Sequence, residues 1–176
     1  MTDISRAFID QSRRLLTESY LPRIERAVED VSTEQVWWRA NPQSNSIGNL
    51  LLHLNGNVRQ WIISGLGGEQ DVRKRQREFD AQTGADATEL LRDLRATVGA
   101  ADQVLANIEP STILERRRIQ SYDVTVMKAI YAVVEHFSMH TGQIILLAKT
   151  FKGDLAFYDL SSGEPRPTWK GGMAGH

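Results

Sequence analysis

The chain has 176 residues, a hydrophobic share of 41%, a charged share of 24% and a net charge of −1, the make-up of a globular protein long enough for one sizeable core. That balance sets up no global field toward nucleic acid or an anionic membrane, and the absence of cysteine excludes disulfides, thiolate ligands and a cysteine nucleophile. The N-terminus has no apolar signal core and no apolar run is long enough to span a bilayer, so the expected location is cytoplasmic, with neither nucleic acid nor membrane as partner.

The first helix is predicted over 3–30, with Ile4, Phe8, Leu15, Ile24 and Val28 at roughly helical spacing. Pro22 falls inside it and should kink or break it. The polar stretch 41–46, with Pro42, reads as a loop. Ser46 is a good N-cap for a second helix over 47–64, which stops at Gly65-Leu66-Gly67-Gly68. A long polar connection follows. Its basic cluster at 73–77, like Arg116-Arg117-Arg118 further on, reads as solvated loop surface rather than an anion site.

A third helix opens at Asp86 or Thr88 and carries Leu91, Leu94, Val98, Ala101, Leu105 and Ile108 in alternating steps of three and four, until Pro110 stops it. A linker over 111–122 leads to a fourth helix over 123–151. The tail from 153 holds Gly163, Pro165, Pro167, Gly171 and Gly172 and reads as irregular. Four long helices, no convincing strands and one long connection point to an all-α four-helix bundle, whose second and third helices can run parallel.

His136 and His140 lie one turn apart on one face of the fourth helix. They share a sector with Ala129, Ala132, Val133, Gln143, Ile144 and Leu147, about 100° or more from the polar stripe of Lys128, Glu135, Gly142 and Lys149. Both histidines therefore face the core, either as hydrogen-bonded core residues or as two ligands of one ion. The second helix is apolar around most of its circumference except for Asn49, His53, Gly56, Asn57 and Gln60. That strip is either a solvent stripe or the lining of a polar cavity. A third imidazole from a neighbouring helix would complete three nitrogen ligands with one open position, which suits a catalytic metal better than a structural one.

Two other metal signatures fail. Phe137 stands where a metalloprotease needs glutamate, and Leu50, Val133 and Phe137 stand three residues before the histidines, where a di-iron bundle needs glutamate.

The segments Ser46-Ile47-Gly48-Asn49-Leu50-Leu51-Leu52-His53-Leu54 and Glu135-His136-Phe137-Ser138-Met139-His140-Thr141-Gly142-Gln143, with the separation between them, resemble the DinB-like (YfiT-like) superfamily of metal-dependent enzymes over roughly residues 1–150. The resemblance implies a four-helix bundle in up-down-down-up order over 1–152, with 153–176 an irregular extension packed on the same domain. It further implies a homodimer and one divalent ion, zinc or nickel, on the residues matching His53, His136 and His140. Characterised relatives include a mycothiol-dependent isomerase and transferases that attach low-molecular-weight thiols to electrophiles.

The expected function is therefore metal-dependent transfer of a small thiol to an electrophilic substrate, with the thiol a cosubstrate because the chain has no cysteine. A metal-dependent hydrolase and a non-catalytic metal or small-ligand binding protein are the alternatives. Asn57, Gln143 and Asn49 are expected to orient the substrate or the ligands. Glu135 points toward the exposed stripe and leaves no evident general base.

Overall fold

Pro22 does not break the first helical pattern. In the computed structural model, which describes residues 4–169, α1 (Ile4–Arg14) passes through wider π turns over Leu15–Tyr20 into α2 (Leu21–Val28). Proline has no N–H for the carbonyl four residues back, and the turns widen just ahead of it. The Glu18 carbonyl, so denied its usual donor, accepts a hydrogen bond from Trp169 Nε1 at 3.3 Å. The expected helix start at Asp3 and the tail glycines Gly171 and Gly172 lie outside the described residues.

A short α3 (Thr33–Trp37) follows, begun by a reciprocal cap between Ser32 and Gln35. α4 (Ile47–Val58) starts as predicted at Ser46, whose hydroxyl accepts from the Asn49 N–H while the Asn49 side chain accepts from the Ser46 N–H. It continues in π turns over Arg59–Ser64 to the glycine run, where Gly68 takes φ +82°. The long polar connection is not all loop, because it contains α5 (Arg75–Asp80). α6 (Ala87–Ala106) is capped by Asp86 and buries Leu90, Leu94, Val98, Ala101 and Leu105. Leu91 is only partly buried, and Ile108 lies beyond the helix end.

The expectation of no strands is corrected by an antiparallel hairpin, β1 (Arg116–Ile119) and β2 (Tyr122–Thr125). Ile119 and Val124 turn inward onto Ala129, and this apolar contact holds a ribbon that the arginine run disguises. Arg116-Arg117-Arg118 is thus strand rather than loop. α7 (Val126–Lys149) begins after Thr125, its cap, because Asp123 and Val124 belong to β2. In the tail, β3 (Tyr158–Asp159) pairs with β4 (Arg166–Pro167), and Leu155 and Trp169 are buried.

The described chain is mostly helical. α4 packs against α6 and α7, α2 against α7, and α1 against α6, around a core that includes Ile9, Leu16, Leu50, Leu54, Leu94 and Phe137. No helix among the described residues is long and apolar enough to cross a membrane. Trp37 packs on Gly48 and donates its indole N–H to the Ala85 carbonyl, whereas Trp38 is 42% exposed. This framework sets α4 beside α7 and lays α5 over α4.

Candidate metal centre

The polar strip of α4 faces protein, not solvent: Asn49, His53 and Gln60 are all buried. What covers it is α5 together with Arg73 just ahead of it. The Asn49 amide donates to the carbonyls of Glu78 and Ala81, both at 2.8 Å. Arg39 Nη2 donates to the carbonyls of Phe79 and Ala81 at 2.9 and 2.8 Å. These bonds satisfy the end of α5 and bring Glu78 down onto His53, with Oε2 2.8 Å from Nδ1.

Arg73 meets the same carboxylate with two nitrogens, Nε to Oε1 at 2.7 Å and Nη2 to Oε2 at 2.8 Å, and its Nη1 donates to Gln60 Oε1 at 2.8 Å. Its side chain is only 6% exposed, so the reading of 73–77 as solvated surface is corrected at Arg73 and holds for the exposed Lys74, Arg75 and Arg77.

From α7, His136 Nε2 comes within 2.9 Å of His53 Nε2. His140 completes the group: one ring nitrogen from each of the three lies within 4.8 Å of the others. The i, i+4 pair and the lone histidine of the polar strip, predicted from different arguments, thus meet at one point.

The proton positions follow from the partners. Burial pushes the Glu78 carboxyl up, but the hydrogen bonds from Arg73 and His53 outweigh it and hold the pKa below the usual range. An ionised carboxylate only accepts, so a proton on His53 Nδ1 serves Glu78 Oε2 and leaves Nε2 its lone pair. The same Nδ1 also lies 3.1 Å from Arg73 Nη2, a donor that Glu78 Oε2 holds at the shorter 2.8 Å. His140 Nδ1 likewise donates to Gln143 Oε1 at 2.6 Å, which leaves its Nε2 bare, buried and without a partner. Burial pushes His136 down to about 4, helped by His140, His53, Arg73 and Arg75. His140 is lowered as well, chiefly by burial.

Three clustered imidazoles, two of them backed by an acceptor on Nδ1 and one of those with an otherwise orphaned Nε2, form a donor set that fits a divalent cation of borderline softness.

The other expected site residues are placed as follows. Gln143 is exposed and holds His140. Asn49 is fully buried and committed to the carbonyls of the α5 segment. Asn57, one turn beyond His53, has a buried Oδ1 with no partner. Sequence reasoning missed Glu78 and Arg73. The only local signal is Phe79, an apolar residue in a charged stretch, whose ring packs 4.8 Å from that of His53.

Residues 3–162 match the family model described as "Protein of unknown function (DUF1572)". No curated protein matches the chain.

Proposed function

The chain belongs to the DUF1572 family, and from that footing we propose that it is a DinB-like metal-dependent enzyme that holds one divalent ion, zinc or nickel, on His53, His136 and His140. The observation that carries this reading is the buried His140 Nε2, without a partner, in a cluster of three imidazole nitrogens. A polar atom in that state costs about 1–3 kcal/mol, and an ion among the three rings removes the cost. A bound divalent ion would supply Lewis acidity, lowering the pKa of a thiol or water presented at its open side.

The chain's own contribution is positioning. Glu78 and Gln143 keep protons on the outer nitrogens of His53 and His140, so the inner nitrogens stay available. Thiol transfer to an electrophile is favoured over hydrolysis by the state of Glu78. Its two oxygens are occupied by Arg73 and His53, so it is not free to take a proton from water. A thiol needs less help from a base than water does. With no cysteine in the chain, that thiol is a cosubstrate.

In the same reading, the described part of 1–152 carries the site in an up-down-down-up four-helix bundle, the described part of 153–176 is an extension packed on it, and the protein is a homodimer. The test is metal analysis of the purified protein, then loss of a small thiol in the presence of a generic electrophile, with and without chelator. Stoichiometric metal and chelator-sensitive thiol consumption are expected. A protein that takes up neither zinc nor nickel would sink the proposal.

A further inference from the structure

Of the groups around the three rings, one is held with more care than an outer contact needs. Glu78 reaches His53 from a different segment, 25 residues further along the chain. Two nitrogens of Arg73 fix its carboxylate in plane, and Arg73 is itself held by Gln60, which donates to Asp71 Oδ2 at 2.7 Å. The pair lies directly across the backbone of α4 at Gly56. A Cβ there would collide with Glu78 Oε1 and stand 2.9 Å from Arg73 Nε. The glycine costs helix stability in the middle of α4, and what it provides is the room for this carboxylate to reach Nδ1.

We propose that Glu78, clamped by Arg73 across the bare backbone of Gly56, is the positioning residue that sets the ring plane and tautomer of His53 and so holds its Nε2 toward the ion. The assignment rests on the three-histidine reading above and adds to it the device that makes the α4 ligand competent. His136 and His140 are placed by consecutive turns of one helix. His53 comes alone from another, and without an acceptor on Nδ1 its proton can move to Nε2 and the ring can turn about its own side-chain bonds.

The test uses the full chain, stripped with chelator and titrated with Zn²⁺ and Ni²⁺ against a chromophoric competitor, and with Co²⁺ followed by visible absorption. Glu78→Gln and Gly56→Ala are each expected to weaken Zn²⁺ binding by about 10–100-fold and to alter the Co²⁺ spectrum. Gly56→Ala touches no histidine, and whatever its displacement of the buried Glu78–Arg73 pair costs in unfolding temperature is read on the metal-free variant, apart from the affinity. A residue with a merely structural role would move unfolding and leave affinity alone.

In the Zn²⁺-loaded parent, long-range proton–nitrogen correlation should place the His53 proton on Nδ1. That measurement and Gly56→Ala decide the matter if Glu78→Gln does not fold. A parent that binds neither Zn²⁺ nor Ni²⁺ overturns the three-histidine reading and this assignment with it. A parent that binds, with both variants within about threefold of it or with zinc on His53 Nδ1, overturns the assignment of Glu78 alone.

Discussion

His140 is the proposed ligand whose removal is simplest to interpret. Its Nε2 has no partner in the protein, and its loss leaves a small gap at the end of an otherwise apolar sector. His140→Ala is expected to abolish metal uptake while costing at most about 3 kcal/mol of stability, checked by metal content and thermal unfolding. If the ion were structural, the variant and the chelated parent would both melt far below the parent, since a structural zinc contributes about 10 kcal/mol or more.

Acid should act on the metal-free protein through the same rings. The folded-state pKa of His136, about 4, lies below its ordinary 6.5, so between those values the unfolded chain binds a proton that the folded one does not. Stability is then fully present above pH 6.5 and falls as pH drops toward 4. His140 shifts in the same sense, and Glu78 extends the loss below 4.5. Urea midpoints measured from pH 7.5 to 4 should decline in that window, and a flat profile would contradict the assignment. At this scale the histidine pair was legible because a spacing of four has one meaning on a helix. Glu78 was not, because its partner lies on another element and the charged run around it has no period.

Elements announced themselves where a cap and an apolar period coincide. Ser46 and Asp86 both open helices where their side chains predict. Ser46 is fully buried, so Ser46→Ala is expected to cost about 1–2 kcal/mol, read as a lower urea midpoint. Because Asn49 both completes that cap and holds the carbonyls of Glu78 and Ala81, amide exchange through α5 should rise as well. Six residues in α5 and four in each hairpin strand are too few for periodicity to register. The ribbon is held by Ile119 and Val124 meeting Ala129 of the following helix, a tertiary contact that overrides the polar look of Arg116-Arg117-Arg118. The π turns ahead of Pro22 follow the same logic. The proline was visible, but whether the helix breaks or widens depends on what else can serve the Glu18 carbonyl.

For the molecule as a whole, the apolar core joins α1, α2, α4, α6 and α7 without help from the histidines, so chelation is expected to leave a cooperative thermal transition, measured by circular dichroism with and without chelator. Light scattering at micromolar concentration should give twice the 19.8 kDa chain mass, and a monomer there would reject the proposed homodimer. The tail is the least expected part of the architecture. Trp169 stacks against Arg23, meets Tyr158 edge-on and donates to Glu18. Trp169→Ala should therefore destabilise the fold by about 3 kcal/mol, seen as a lower melting temperature. That bond joins residues 151 positions apart. On the ribosome the Glu18 carbonyl leaves the exit tunnel with most of the described chain still to be made, long before the indole that will bond to it. The opening helix is thus completed among the last events of synthesis, and a ribosome stalled short of Trp169 would present a nascent chain whose first segment is still unfinished.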